Sequence, residues 1–507
     1  MRLQKLALYF GVLVAGVYAV YHFQFDGKET AKKSDPDTPL TSSAPQSTAV
    51  AMSTTVSCQG ADHVITNGTS IPHLPDFSMI NQATVDTLQC SFDTYSWNLF
   101  LALNHDAQGE LVTDNSGPTV WESWAESSDI FLKDGAKPVS TPRSFPTRNV
   151  PDECKGLHDG KIKIVRQVGK RPDVLEEFTE PFQSGPLIDA NGHYSRFAIS
   201  VNESMYDYIL KNELYNSNGQ KAFSQAGNEV NFACSCNEGT DDNGNPICAK
   251  GGQQGAVMAK AAWKVIDTTK NDDPSLYHTV EALVYTEQSK DGSRPAMCEK
   301  QMVGLTGFHI GQKTSNDTQW LWSTFEHVDN VPTKGEVASK PKYNYFTPDC
   351  TDCNTVNEPP AQPWNPKDPP LSDARIGDRS QIERVIAIHQ DTDQMNAQVQ
   401  SELLTGTVWA NYELVSTQWP TAATAPNAAP SEATNWCSAI NQVDKSGNPA
   451  PAFLANTTLE TYIQGTVPQA SSSCINCHLN ATMTDGQFSD FTYLLERAQG
   501  PQEGPSQ

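Results

Sequence analysis

The chain contains 507 residues, with 35 basic and 59 acidic side chains and a formal charge of −24 at pH 7. Its length suits two or three domains. The negative charge argues against nucleic-acid binding, because no cluster of basic side chains beyond the N-terminus would offset phosphate repulsion. The acidity favours solubility and suits a basic protein partner, although most acidic surfaces are simply solvated.

Residues 1–26 predict a signal peptide or an N-terminal membrane anchor. Arg2 and Lys5 precede an apolar run, and "VYA" at 17–19 offers small residues where a signal peptidase could cut. The run is also long enough to span a bilayer if it is not cut, so both alternatives stay open. Either one places the remainder in the periplasm or the extracellular space. We expect membrane contact only through this segment.

Residues 27–57 are rich in Ser, Thr, Pro and Ala, which predicts a flexible linker. An α+β main body is expected over 58–340. Its first helix is predicted at 85–104, where apolar and aromatic residues form one stripe, and a shorter one at 119–132. β-Branched and aromatic residues between turn residues predict six strands, at 161–168, 194–201, 257–267, 278–287, 302–310 and 319–328. An amphipathic helix is predicted among them at 202–215.

Residues 341–373 are rich in proline and predict a connector. The region 374–507 follows, with a predicted helix over 378–404 and a strand over 407–419. Short helices are expected at 457–464 and 488–499. The sequence therefore predicts an α+β fold, in which a large body of mixed strands and helices precedes a small helical C-terminal region.

Twelve cysteines are many for a reducing compartment. Ten of them lie outside the last pair, Cys474 and Cys477, and could close into five disulfides. This count fits an exported protein. Cys350 and Cys353 form a C-x-x-C in the proline-rich segment, where a structural disulfide is favoured over a redox-active pair, since reactive pairs prefer helix N-termini.

The sequence "CINCH" at 474–478 is a C-x-x-C-H signature, the attachment motif of c-type haem. Thiols at i and i+3 face the same way, so Cys474 and Cys477 can add to the two vinyl groups of one porphyrin edge. His478 then presents its imidazole to the iron. A disulfide beside an unrelated histidine, or half of a zinc site, would be the alternatives. Zinc would need further ligands, and none follows Cys437 except this trio.

The C-terminal part resembles the monohaem c-type cytochrome family on this signature. Residues 319–332, "QWLWSTFEHVDNVP", also resemble a segment of uncharacterised exported bacterial cytochrome-c-like proteins. The resemblance implies one covalent haem c, thioether bonds from Cys474 and Cys477, and His478 as the proximal iron ligand. It implies no role for the large body that precedes the signature.

The order of the motif differs from that of small cytochromes c, in which the signature lies near the N-terminus and a methionine much later binds the other face of the iron. Here Met483 is the only methionine after His478, and five extended residues reach about 17 Å at most, so ligation of the opposite face would be strained. Four-helix-bundle cytochromes have a C-terminal signature, but this chain is too strand-rich for that fold. We expect the main body to supply the second wall of the haem pocket. The candidate distal ligands are Met483, His309, His327, His389 and Met395.

The leading hypothesis is an exported c-type cytochrome that passes single electrons to a redox partner protein, with a basic partner favoured by the acidic charge. A haem-dependent oxidoreductase, peroxidase-like or substrate-oxidising, is the alternative, because the body is far larger than an electron carrier needs. A haem-bearing module that binds a partner protein is the third. No catalytic constellation outside the haem motif is evident in the sequence.

Overall fold

The computed structural model describes most of the chain after the N-terminal segment, and residues 51–507 form one compact unit. The described residues are 52–72, 85–113, 117–138, 150–159, 162–165, 186–235, 254–286, 295–314, 320–359, 379–421, 448–468 and 470–500. The predicted signal or anchor at 1–26 and most of the predicted linker lie outside these ranges. Within them, no helix combines the length and the apolar character that crossing a bilayer would need.

A large sheet forms the centre of the molecule, beside a separate two-stranded hairpin. The strands are β1 (Ser53–Cys58), β2 (Ala61–Thr66), β3 (Ala125–Glu126), β4 (Lys163–Val165), β5 (Arg196–Val201), β6 (Val257–Val265), β7 (Thr279–Thr286), β8 (Met297–Lys313), β9 (Trp320–His327), β10 (Tyr412–Pro420) and β11 (Pro449–Ala450). β1 and β2 form the hairpin, and the other nine form a sheet with the main order β11-β10-β9-β8-β6-β5-β3. All pairs are antiparallel except β4 with β7.

The long strand β8 organises this sheet. β6 pairs along one of its edges, while β7 pairs with residues 297–304 and β9 with residues 307–313 of the other edge. Gly307 lies where the C-terminal segment, residues 448–500, crosses β8. A Cβ at this position would come within 2.0 Å of the Thr458 hydroxyl oxygen. Glycine is therefore needed for the close approach that seats the C-terminal segment on the sheet.

Helices cover both faces of the sheet. The described α-helices are α1 (Val85–Leu103), α2 (Ser127–Ile130), α3 (Glu203–Lys211), α4 (Ser217–Gln225), α5 (Gln390–Gln398) and α6 (Cys474–His478). Side chains alternate along β9, so that Leu321 and Phe325 join the core under α1 and α5, whereas Trp320 and Trp322 join a second core under α3 and the C-terminal segment. The sheet thus separates two apolar cores.

The predicted α+β fold class, a body of mixed strands and helices followed by a small helical C-terminal region, is wrong. The body is a large, mostly antiparallel β-sheet with few helices, and the expected helical cytochrome-like C-terminal region is absent from the described residues. Residues of that region instead form β10 and β11, which pair with each other, and β10 also pairs with β9. α6 is five residues long and Tyr493–Arg497 forms a short 3₁₀ turn.

Polar side chains explain why no helix forms at 457–464. Asn456 donates to the Thr324 hydroxyl and the Phe325 carbonyl, and the Thr457 amide donates to Glu326 at 2.5 Å. Such bonds from short polar side chains compete with helix formation. The segment therefore forms successive turns pinned to β9.

Most other predicted elements are confirmed in position. The long first helix and the helix at 202–215 are present, as are all six predicted strands in their described parts and the strand within 407–419. The helix expected over 378–404 forms only in its second half, as α5 and a π-helical turn at Val399–Leu403. The helix expected at 119–132 is broken into Trp121–Ser123, β3 and α2.

Three disulfides lie within the described ranges: Cys58–Cys90, Cys154–Cys298 and Cys350–Cys353. The predicted structural disulfide of the C-x-x-C in the proline-rich segment is confirmed. Cys234 is also disulfide-bonded. Cys236, Cys248 and Cys437 lie outside the part of the chain that the structure describes. The remaining cysteines, Cys474 and Cys477, are thiols.

Candidate haem-attachment site

The signature forms one helical turn, α6, which lies against β9 and β10. Ser473 caps this turn, with its hydroxyl 3.4 Å from the Asn476 amide. The Gln418 side chain of β10 accepts a hydrogen bond from the Ile475 amide at 2.8 Å, and Ile475 is buried. The Tyr493 hydroxyl donates to the Cys477 carbonyl at 2.7 Å. The sheet and the following segment therefore fix both ends of the turn.

His478 is oriented by a backbone carbonyl. Its Nδ1 lies 2.7 Å from the Phe491 oxygen, which can only accept, so Nδ1 bears the proton and the lone pair lies on Nε2. A histidine that binds a metal commonly donates its other ring N–H to a carbonyl in this way. The ring packs between Trp322, with centroids 4.4 Å apart, and Tyr493, with centroids 5.3 Å apart.

A buried ion pair holds the backbone that supplies this carbonyl. Asp490 and Phe491 adopt left-handed φ angles of 51° and 63°, a conformation that costs energy for residues other than glycine. The Asp490 carboxylate lies 2.7 Å from Lys313 Nζ at the end of β8, and both side chains are fully buried. It also accepts from the Phe232 amide at 2.7 Å and from the Trp320 indole at 3.3 Å. These contacts compensate for the strain and set the position of the Phe491 carbonyl.

The two signature cysteines differ from the other C-x-x-C pair of the chain. Cys350 and Cys353 close a disulfide in a loop, whereas Cys474 and Cys477, at the same spacing on a helical turn, are thiols. Cys474 is 9% exposed and Cys477 is half-buried. Haem c attachment needs two thiols on the same side of a helical turn, followed by a histidine whose unprotonated ring nitrogen can bind the iron. The residues present fit that requirement.

Trp322 provides a second test of the fit. Its indole Nε1 is buried and has no hydrogen-bond acceptor among the described residues, although the ring contacts His478. A buried N–H without an acceptor costs about 1–3 kcal/mol, so such donors usually have a partner in the working protein. A group bound beside His478 that brings an oxygen acceptor, as the haem carboxylates do, would satisfy it.

Two of the candidate distal ligands lie on the same face of the sheet as Trp322. His309 pairs with Thr324 across β8 and β9, and its Nε2 lies 2.9 Å from Glu460. Burial alone would raise the pKa of Glu460, but the interactions with His309 lower it to about 2. Met483 is buried in the same apolar cluster as Cys474 and Trp322. It lies in a turn whose ends, Thr482 and Phe488, form an isolated bridge.

His327 and Met395 lie on the opposite face of the sheet. Met395 is fully buried in the core under α1 and α5. The His327 ring stacks on Tyr277, its Nε2 donates to the Leu276 carbonyl at 2.9 Å, and its Nδ1 accepts from the Asp329 amide. Burial lowers the pKa of His327 to about 4, which keeps the ring neutral. The sheet separates both residues from His478.

His389 precedes α5 and caps its N-terminus, with Nδ1 3.4 Å from the Asp391 amide. It also lines a cavity at the edge of β10. None of the three signature residues lines that cavity, but Val415 and Leu454 belong both to its wall and to the apolar cluster around Cys474. Of the two methionine candidates, Met483 lies in the apolar cluster that contains Cys474, whereas Met395 lies in the other core.

Sequence reasoning missed the residues that support His478. Lys313, Asp490 and Phe491 are far apart in sequence or carry no motif, and only the crossing of the C-terminal segment over β8 brings them together. Trp322 lies inside the segment 319–332 that carried part of the family resemblance, so its prominence was visible in the sequence, but its contact with His478 was not.

The chain matches no protein-family model, and neither the curated proteins nor the solved structures searched contain a similar protein.

Proposed function

We propose that this protein is an exported c-type cytochrome that binds one covalent haem and transfers single electrons. Cys474 and Cys477 would form the thioether bonds and His478 would ligate the iron through Nε2. The observation that carries the proposal is the hydrogen bond from His478 Nδ1 to the Phe491 carbonyl, which orients the ring and fixes its tautomer. The resemblance to monohaem c-type cytochromes rests on the same three residues.

The bound haem would supply a one-electron couple whose potential depends on the axial ligands, hydrogen bonds and burial. The chain's own part is to hold and orient. Gln418 and Tyr493 fix the turn, the Phe491 carbonyl orients the imidazole, and Trp322 offers an N–H to an acceptor. A proximal imidazole that donates to a carbonyl is a stronger ligand, which favours the oxidised iron.

An oxidising compartment agrees with the disulfides at Cys58–Cys90, Cys154–Cys298 and Cys350–Cys353. We propose a periplasmic or extracellular location, with the N-terminal segment as cleaved signal or inner-membrane anchor. The charge of −24 favours a basic redox partner, because opposite charge accelerates encounter between electron-transfer proteins.

The proposal is tested by expressing the full chain in a host that matures c-type cytochromes and exports it. We expect the intact mass to increase by one haem, a c-type absorption spectrum on reduction, and loss of both in Cys474→Ser/Cys477→Ser. The matched control is Cys350→Ser/Cys353→Ser, which removes the other C-x-x-C and should retain the haem. Absence of haem from the wild-type chain, or its retention in the first variant, would refute the proposal.

A haem-dependent oxidoreductase is the second candidate. It is favoured by the cavity whose wall shares Val415 and Leu454 with the cluster around Cys474, since an enzyme needs a substrate space near its cofactor. Carbon monoxide separates the two. A six-coordinate electron carrier would not bind it when reduced, whereas rapid binding together with turnover of peroxide, lost in His478→Ala, would favour the enzyme.

A further inference from the structure

A cavity of about 280 Å³ opens along the edge of β10 beyond the two-residue strand β11, where no other described strand pairs with that edge. Its wall is mostly apolar, and most of the apolar lining residues come from the segment before α5 and the segment after β11: Ile386, Ala387, Pro451, Phe453, Leu454 and Ala455. A concave, largely apolar space with a few converging polar groups is the usual form of a small-molecule site.

One of the lining residues has a buried carboxylate that pairs with no cationic side chain among the described residues. Asp93 of α1 is 1% exposed. Its Oδ1 accepts from the Gln89 amide at 2.9 Å and from the Thr417 hydroxyl at 2.8 Å and amide at 3.1 Å, and its Oδ2 accepts from the Thr392 hydroxyl at 2.7 Å. Every one of these donors is neutral. No lysine, arginine or histidine pairs with Asp93 in the described part of the chain.

Burying the negative charge of Asp93 without a neighbouring cation costs free energy. Burial raises the pKa of Asp93, and the four neutral hydrogen bonds only partly oppose that effect. Two other buried carboxylates of the described chain pair with cations: Asp490 with Lys313, and Glu326 with Arg384. Asp93 differs from these two carboxylates and is also a lining residue of the cavity. A cation that enters the cavity would supply the missing charge.

The other charged residues of the wall have the same sign. Asp86 and Asp391 add two carboxylates, and His389 is the only basic side chain among the lining residues. Asp391 accepts a hydrogen bond from the Gln59 amide and lies 3.7 Å from His389. Carboxylates around a space of low polarity produce a potential that attracts cations and disfavours anions.

We propose that this cavity binds a small organic cation, with an ammonium group near Asp93 and an apolar body against Phe453 and Leu454. The proposal does not depend on haem attachment, because none of the signature residues lines the cavity. The occupant is identified by its chemistry alone: a compact alkyl or aryl amine, protonated or quaternary, that fills about 280 Å³.

Isothermal titration calorimetry of the full chain tests the proposal with a panel of alkyl- and arylammonium ions, among them 2-phenylethylammonium, and with 2-phenylethanol as a neutral molecule of similar shape. We expect saturable binding of at least one ammonium ion, and at least about tenfold weaker binding of the alcohol. Ala455 is a half-buried lining residue, and Ala455→Trp, whose larger side chain would fill the cavity, should abolish binding. Asp93→Asn should bring the two affinities within about twofold of each other.

Asp152→Asn, at an exposed carboxylate that is not among the lining residues of the cavity, is the control and should bind as the wild type does. The proposal is overturned if no member of the panel binds, if the alcohol binds as tightly as its ammonium counterpart, or if Ala455→Trp leaves affinity unchanged. Should Asp93→Asn fail to fold, the ratio in the wild type and the Ala455→Trp result decide the matter. A haem-free preparation is expected to bind equally well, which separates this test from that of the proposed function.

Discussion

Lys313 Nζ lies 2.7 Å from the Asp490 carboxylate, and neither side chain has measurable exposure. The pair joins the end of the central strand β8 to the residue that precedes the carbonyl acceptor of His478. An ion pair that has left water entirely contributes little net stability, but removal of one partner leaves an uncompensated buried charge. The pair therefore holds the C-terminal segment in position against the end of β8.

Asp490→Asn tests how much the ion pair between Lys313 and Asp490 contributes to the stability of the fold. Asparagine tolerates the left-handed backbone, so the substitution removes the charge and leaves the local conformation accessible. We expect the free energy of unfolding to fall by about 3–5 kcal/mol, because the substitution removes the anionic partner of the fully buried Lys313 side chain. Chemical denaturation measures this loss. The control is Glu281→Gln, which breaks an exposed pair with Lys300 and should cost less than about 1 kcal/mol.

A measurement of the His478 tautomer separates the effect of the ion pair on that ring from a general loss of stability. In the folded Asp490→Asn protein, nitrogen NMR of His478 should show a smaller population of the Nδ1–H form than in the wild type, since the Phe491 carbonyl is less well held. The double variant Lys313→Met/Asp490→Asn should recover part of the lost free energy. An unchanged tautomer population in Asp490→Asn would remove the link between the ion pair and the imidazole.

Trp322→Phe and Trp320→Phe form a matched pair of substitutions. Both indoles are buried on the same face of β9, but Trp320 Nε1 donates to Asp490 at 3.3 Å, whereas Trp322 Nε1 has no acceptor in the described part of the chain. In the haem-free chain, Trp320→Phe should therefore cost about 1–2 kcal/mol more than Trp322→Phe. If the haem supplies an acceptor, Trp322→Phe should cost more in the haem-loaded protein than in the haem-free one. Thermal unfolding of both forms checks this, and equal costs throughout would contradict it.

The sequence predicts the strands well where they are buried on both faces. β6, β9 and residues 303–313 of β8 are buried almost throughout and are rich in β-branched, aromatic and small residues, which is typical of central strands. The first helix was equally clear, since its apolar stripe runs its whole length. Local patterns suffice where the element's own residues decide its conformation.

The C-terminal region was predicted wrongly because tertiary contacts decide its conformation. Residues 457–464 have helical periodicity, yet Thr457 and Asn456 bond to β9 instead of completing a helix. The site shows the same division. The signature itself is evident in the sequence, while its supports, Lys313, Asp490 and Trp322, are brought together only by the fold.

The disulfides should differ in their contribution to stability according to the loops they close. Cys154–Cys298 spans 144 residues, and Cys350–Cys353 spans three. By chain entropy, their removal should cost roughly 5 and roughly 1.6 kcal/mol, respectively. Denaturation of Cys154→Ser/Cys298→Ser and Cys350→Ser/Cys353→Ser measures the two values. A larger loss from the short loop than from the long one would show that strain or local packing, and not loop closure, dominates.

The Glu460–His309 pair predicts a stability change at acid pH. The pKa of Glu460, ordinarily 4.5, is about 2 in the folded chain, because the interactions with His309 outweigh the opposing effect of burial. A carboxyl whose pKa is lowered by folding contributes stability that is fully present above about pH 4.5 and is lost as the pH falls through about 2. The shift corresponds to up to about 3 kcal/mol.

Glu460→Gln removes this contribution and nearly preserves the shape of the side chain. The difference in the free energy of unfolding between wild type and Glu460→Gln should be largest near pH 5 and shrink by up to about 3 kcal/mol on titration to pH 2. Denaturant unfolding at a series of pH values gives this difference directly. Glu336→Gln, at an exposed turn, should follow the wild-type profile. A difference for Glu460→Gln that is independent of pH would mean that the side chain stabilises the fold by its shape and neutral hydrogen bonds, and not by its charge.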